Sequence, residues 1–278
     1  MVEAACAFLI GAQKAGTTTL AELLDQHPDV CLSTPKEPHF YSKNFERGAP
    51  WYDACFEGVQ KRIRLDASTT YAMAEPGEHA GHVAARIAAA APDARIIYIV
   101  RDPVERTHSA YWHSVRSGSE TLPFRKAVET NPRYVATGQY FFQLSQYLKY
   151  FPKDRIRMVD FNRLRDDPMT VAAACLAFLG CDSEKTDLAT AGARNKSYRY
   201  SPVGKLVRRA AGSHERMTAL AGAVQAATPR FLHAPIKSLV ARDVPRLEEA
   251  DRAWLAPFFD ADLAALHSYC GIELRRTA

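Results

Sequence analysis

The sequence predicts an α/β protein, a three-layer fold with a central, mainly parallel sheet flanked by helices. Three observations carry that reading. A short apolar run at the start ends in a glycine loop that passes into a helical pattern. The most apolar segment, Ala94 to Val100, shows no polar alternation, as a parallel strand buried on both faces requires. Strand and helix patterns then continue to alternate along the chain.

In order, Ala4 to Ile10 is the first strand and stops at Gly11, and Thr17 to Gln26 sets Leu20, Leu23 and Leu24 on one helical face. Arg62 to Ala67 is a second strand, and Glu78 to Ala91 is an alanine-rich helix halted by Pro92. After the strand ARIIYIV, Asp102-Pro103 opens a helix, with the aspartate as N-cap and proline at the first helical position. Gly138 to Tyr150 reads as an amphipathic helix through Phe142, Leu144, Tyr147 and Leu148, and Arg155 to Phe161 as a strand. Asp167-Pro168 starts a helix running through Leu179. From Asp182 to Pro202 the pattern is polar and aperiodic and includes ARNKSYRY; the remainder, about 201–278, reads as mostly helical. No repeat and no linker rich in Gly, Ser or Pro divides the chain, so residues 1–278 are expected to form a single domain.

The 278 residues carry 36 Lys+Arg against 31 Asp+Glu, a net +5, with 47% hydrophobic and 24% charged residues. That balance excludes a disordered chain and is enough to bury a core without disulfides. A pI near 8.9 suits an anionic ligand but is too modest to imply nucleic acid. The six cysteines form no CxxC pair and read as buried thiols. With no basic leader and no 18-residue apolar run, a cytoplasmic protein without a membrane span is expected.

The loop in FLIGAQKAGTTTL places Gly11, Lys14, Gly16, Thr17 and Thr18 between the first strand and first helix. Backbone N–H groups exposed there, together with the positive end of the helix dipole, make a P-loop-like cradle for a phosphate-like anion. In the P-loop of nucleotide hydrolases the lysine follows the second glycine and a hydroxyl beside it holds magnesium. Here Lys14 precedes Gly16 and Thr17 stands in the lysine's place. A P-loop kinase or nucleoside triphosphatase is the first alternative, with Asp160 as its candidate metal-binding acid and no evident magnesium seat. A second is a non-catalytic anion or nucleic-acid binding module, for which no nucleic-acid motif is present.

Past the buried strand come Arg101, Arg106 and Ser109. Ligands of open α/β sheets sit beyond the carboxyl ends of the strands, so Arg101 shares an edge with the first loop. An arginine fork and a serine hydroxyl can together grip a phosphate; alternatively Arg101 pairs with Asp102 or Glu105. Two anion grips imply a ligand with two separated anionic groups, such as a nucleotide with a second phosphate on its ribose.

The segments QKAGTTTL, HPDV, KEPHFYS, IIYIVRDPVERTHSAYWH, GQYFFQLSQYLKYFP and RIRMVDFNRLRDDP, in this order over residues 5–182, resemble the sulfotransferases that use 3′-phosphoadenosine 5′-phosphosulfate (PAPS). The likeness is to the branch shared by heparan-sulfate and bacterial enzymes. It implies PAPS as co-substrate without a metal. Lys14, Ala15, Gly16, Thr17, Thr18 and Thr19 would hold the 5′-phosphosulfate, and Arg101 with Ser109 the 3′-phosphate. Glu37 would be the catalytic base with His39 beside it, and Lys196, Ser197, Tyr198 and Arg199 a late loop closing over the nucleotide. The acceptor would be a hydroxyl of a carbohydrate, a lipid-like alcohol or a carrier-bound acyl chain, with Tyr71 and Tyr140 expected in its pocket and no nucleic acid as partner. Two departures weigh against a glycosaminoglycan acceptor: Ala67 stands where heparan-sulfate enzymes carry a lysine, and no membrane anchor is seen. His79 and His82 lack a third ligand, so no metal site is expected.

Overall fold

Strand β1 (Ala5–Leu9) lies at the centre of a sheet whose strands are all parallel. The computed structural model describes residues 5–56, 61–77, 79–182, 198–212 and 241–274, with isolated positions between 216 and 228. β1 leads through a loop into α1 (Thr17–Asp25), which buries Leu20, Leu23 and Leu24 as the spacing predicts. β2 (Val30–Leu32) follows, then α2 (Ala49–Ala54), β3 (Ile63–Asp66), α3 (His82–Ala90), β4 (Arg95–Val100) and α4 (Pro103–Ser117). The sheet closes with β5 (Ile156–Asp160) in the order β2-β3-β1-β4-β5. Two strands lie on one side of β1 and two on the other, so the switch in winding direction falls beside β1, where open α/β sheets bind ligands.

β4 is buried from Ile96 to Val100 on both faces, as its unbroken apolar run requires. Asp102 caps α4 as expected: its carboxylate accepts from the N–H groups of Val104 (2.8 Å) and Glu105 (3.0 Å), with Pro103 at the first helical position. Gly11 is required by close approach, since a Cβ there would stand 1.9 Å from the Ile99 side chain. His27 is buried, accepts from the Asp29 N–H at 3.1 Å and bonds the Asp182 carbonyl at 3.0 Å, tying the end of α1 to the end of the helix that starts at Pro168.

Between β4 and β5 run α5 (Phe124–Thr130), α6 (Arg133–Ala136) and α7 (Tyr140–Leu148); beyond β5 lie α8 (Phe161–Asp166) and α9 (Pro168–Leu179). Asp160 caps α8 and Asp167 caps α9. The later segment departs from the sequence reading. Part of the aperiodic stretch forms β6 (Tyr198–Tyr200), which pairs antiparallel with β7 (Ala241–Asp243), so the helical C-terminal part includes a strand. Around it stand α10 (Pro202–Ala211), α11 (Glu249–Leu255) and α12 (Asp260–Cys270). β2 was not foreseen because three residues give no periodicity to read. The expected helices 78–91 and 138–150 begin later, at His82 and Tyr140. No helix among the described residues is long and apolar enough to cross a membrane.

Candidate active site

A cleft of about 1720 Å³ opens at the carboxyl ends of β1, β3 and β4. Its floor is the loop from β1 to α1. Gly16 takes φ +89° as the N-cap of α1, and no side chain caps that helix, so its first N–H groups face the cleft as an anion cradle. Lys14, Gly16, Thr17, Thr18 and Thr19 all line the cleft, while Ala15 is fully buried beneath it. Among the described residues, the two non-glycines with left-handed backbone are Lys14 (φ 73°) and His39 (φ 52°), and both line this cleft. Strain of this kind concentrates at sites where geometry serves function.

Lys14 and Arg101 come together as the sequence suggested. The Arg101 guanidinium donates to the Lys14 carbonyl at 3.2 Å, so the two candidate anion grips share one wall. Arg101 also lies 3.6 Å from Glu105, the salt bridge offered as the alternative, and its guanidinium lies 5.0 Å from the Phe161 ring centroid. Both roles coexist. Burial, together with the charges of Arg116 and Arg101, lowers the Lys14 pKa from 10.5 to about 8. Ser109, two turns into α4, is 7% exposed and lines the same cleft.

Glu37 and His39 line the same cleft. Lys36 Nζ donates to one Glu37 oxygen at 2.9 Å, and the Thr69 hydroxyl donates to the other at 2.9 Å. Burial raises the Glu37 pKa, but the charge and hydrogen bond of Lys36, with Thr69 and His39 adding to them, outweigh it and hold the carboxylate below its ordinary range. Burial lowers the His39 pKa, and Lys43 and Lys36 add to this against Glu37, which keeps the imidazole neutral near pH 7. His39 Nε2 is 3.7 Å from Glu37, and Nδ1 is hydrogen-bonded to the Thr70 hydroxyl at 2.9 Å. An ionised carboxylate beside a neutral imidazole can take a proton from a hydroxyl and orient it.

This pair rests on the turn after β3. Buried Asp66 accepts from the Ser68 N–H (3.0 Å) and hydroxyl (2.6 Å) on one oxygen, and from Tyr71 (2.7 Å) and Tyr52 (3.0 Å) on the other. The Ser68 hydroxyl in turn accepts from the His39 N–H at 2.9 Å. Tyr71 and Tyr140 lie outside this cleft. Tyr71 is 2% exposed with its hydroxyl spent on Asp66 and lines a second cavity of about 480 Å³, and Tyr140 is fully buried with its ring edge-on to Tyr98. Aromatic identity alone does not say which way a ring points. Ala67 is fully buried, and the cations whose charge acts on His39 are Lys43 and Lys36.

Of the late loop, Lys196 and Ser197 lie outside the described residues; Tyr198 and Arg199 belong to β6, which packs against α4. Lys36, Lys43, Thr69, Thr70 and Arg116 were missed as site residues. Arg116 had a readable signal, standing seven residues after Ser109 and so on the same face of α4.

The family model described as "Sulfotransferase domain" matches residues 6–216. Among curated proteins, mouse heparan sulfate glucosamine 3-O-sulfotransferase 3A1 is 30% identical over 191 residues, covering 65% of this chain and 47% of that protein. Human heparan sulfate glucosamine 3-O-sulfotransferase 6 is 31% identical over 190 residues, covering 65% and 54%. The chain thus spans about half the length of the curated relatives it matches. The crystal structure of a sulfotransferase from Alicyclobacillus acidocaldarius superposes with a TM-score of 0.71 at 26% identity, covering 98% of each chain. Sulfotransferase STF9 from Mycobacterium avium shares the fold, with a TM-score of 0.52 at 13% identity over 100% of this chain and 79% of that one.

Proposed function

The chain belongs to the sulfotransferase family, and on that premise we propose that it moves the sulfuryl group of PAPS, in line, to a hydroxyl of a carbohydrate or another small-molecule or carrier-bound acceptor. The observation that carries this reading is the bond from the Arg101 guanidinium to the Lys14 carbonyl, because it sets two anion grips within reach of one mononucleotide. PAPS supplies the sulfuryl group. The α1 N-terminus, Lys14 and Thr17 to Thr19 hold its phosphosulfate end, and Arg101 with Ser109 holds the ribose phosphate.

During transfer the acceptor oxygen bonds to sulfur and the sulfur–phosphate-oxygen bond breaks, leaving 3′-phosphoadenosine 5′-phosphate (PAP). Glu37 takes the proton that the acceptor hydroxyl loses, and neutral His39 hydrogen-bonds the acceptor. Lys14 and the loop amides neutralise the charge growing on the departing oxygen; preorganised donors of this kind contribute about 2.7–4 kcal/mol each. The positions of Lys36 and Lys43 support a substitute for the family lysine that Ala67 lacks.

The whole chain is read as one domain of a cytoplasmic, bacterial-type enzyme. The superposition with the Alicyclobacillus enzyme, which covers 98% of each chain, supports the single-domain reading. A kinase reading is disfavoured because Thr17 opens α1 where a P-loop lysine would stand, and because the Asp160 carboxylate is engaged in capping α8. Glu37→Gln is expected to lower transfer of radiolabelled sulfuryl from PAPS by about 10²–10⁴-fold while PAP affinity, read by calorimetry, stays within about twofold. Unimpaired transfer by that variant removes Glu37 from the base role. A panel of sulfated oligosaccharides, phenols and long-chain alcohols offered to the wild type identifies the acceptor class.

A further inference from the structure

Arg106 lies on α4 between the two residues that grip the ribose phosphate, five after Arg101 and three before Ser109. It lines the same cleft yet is only 1% exposed. Its Nη2 donates to the Thr107 hydroxyl at 2.6 Å and to the Tyr134 carbonyl, while its Nε has no partner. Among the described residues, no carboxylate stands within ion-pair distance of this guanidinium.

The groups around Arg106 do not neutralise it. The Tyr98 and Tyr140 hydroxyls are buried, and burial holds both protonated. Arg101 faces it with a like charge. On the same helix, Asp102 spends one oxygen capping α4, and Glu105 is already engaged by Arg101 and by Arg252 of α11. A buried cation without a counter-charge is costly to fold around. Holding the Tyr134 carbonyl needs only a neutral donor, so bridging α4 to α6 does not explain why a charge is there.

Building on the proposed nucleotide, we propose that Arg106 is a specificity-determining cation. Its charge acts through the low-dielectric wall under Arg101 and Ser109, and it makes the site prefer a nucleotide bearing the ribose 3′-phosphate over one lacking it. The bound phosphate is then the counter-charge that the protein itself omits. Arg106 acts through space and takes no part in the transfer step.

The test is calorimetric titration of the full chain with PAP and with adenosine 5′-phosphate, two ligands that differ by the 3′-phosphate alone, for wild type, Arg106→Gln and Arg106→Lys. Arg106→Gln should lose about tenfold or more in PAP affinity while adenosine 5′-phosphate changes by less than about twofold. Arg106→Lys should keep most of the preference at pH 6.5 and lose it as pH rises, because a buried lysine gives up its proton and arginine does not. Equal weakening of both ligands in Arg106→Gln, or a preference in Arg106→Lys that tracks wild type across pH, overturns this inference and leaves the sulfotransferase reading standing. If Arg106→Gln fails to fold, the lysine variant decides alone. Wild-type protein that binds PAP no more tightly than adenosine 5′-phosphate overturns the nucleotide assignment itself.

Discussion

Lys14 is held charged only narrowly. Burial and the guanidinium groups of Arg116 and Arg101 bring its pKa from 10.5 down to about 8, so the unliganded site sheds this proton just above neutrality. An anion binds the charged form, so PAP affinity should be level below about pH 8 and fall as pH rises through it, by up to about tenfold per unit. Titrations from pH 6.5 to 9.5 read this slope, and Lys14→Arg, which keeps its charge throughout, should flatten it. A decline that survives unchanged in the arginine variant assigns the titration to another group. The place of Lys14 in the cleft was legible because a loop between strand and helix lies at the carboxyl edge of the sheet, where open α/β folds bind ligands. The directions of the Tyr71 and Tyr140 rings were not, since residue type gives no direction for a ring, and the partner that claims the Tyr71 hydroxyl, Asp66, is recognisable only once the turn is folded. Lys36 stayed hidden because a lysine beside a glutamate reads as a solvated pair, whereas here it holds the carboxylate ionised inside a cleft.

The turn that follows β3 depends on one carboxylate. Asp66 organises Ser68 and Tyr71; Ser68 fixes the His39 backbone, while Thr69 and Thr70 hold the side chains of Glu37 and His39. Burial raises the Asp66 pKa from 3.8 to about 6, even though the hydrogen bonds from Ser68, Tyr71 and Tyr52 pull the other way. An acid whose folded pKa is raised contributes stability that is complete below its unfolded value and lost as pH climbs through its folded value. Urea unfolding should therefore show a component present near pH 4 and gone above about pH 6, and Asp66→Asn should remove that component. The same decline in the asparagine variant would place its source elsewhere. Elements with a strong local signal were readable: β4 by its unbroken apolar run, α4 and α9 by their Asp-Pro starts. β2, β6 and β7 were not, because each has three residues and takes its conformation from a partner strand distant in sequence.

Across the whole molecule, the parallel sheet sets the cleft and the C-terminal helices brace it. Asp262 of α12 accepts from the N–H groups of Phe141 (2.9 Å) and Phe142 (2.8 Å), capping α7 from outside its own sequence. Arg125 of α5 is bonded to Asp251 of α11 at 2.6 Å. These links span more than a hundred residues, so no local pattern could reveal them. The link that bears on the proposed function is Arg252 of α11, which pairs with Glu105 and lies 4.0 Å from Asp102, both beside the proposed ribose-phosphate grip. Glu105 also lies 3.6 Å from Arg101. Without Arg252, the full charge of Glu105 would fall on Arg101 and oppose an incoming phosphate. Arg252→Ala should accordingly weaken PAP by about 3- to 10-fold and destabilise the fold by about 1–3 kcal/mol, since a partly buried carboxylate loses its partner. Adding Glu105→Gln should restore most of the affinity without restoring all of the stability, because it removes the repulsion but not the lost link between α4 and α11. Titration of PAP against the two single variants and the double variant measures this coupling. A double variant as weak as Arg252→Ala would mean that the C-terminal helix supports the nucleotide by packing and not by charge.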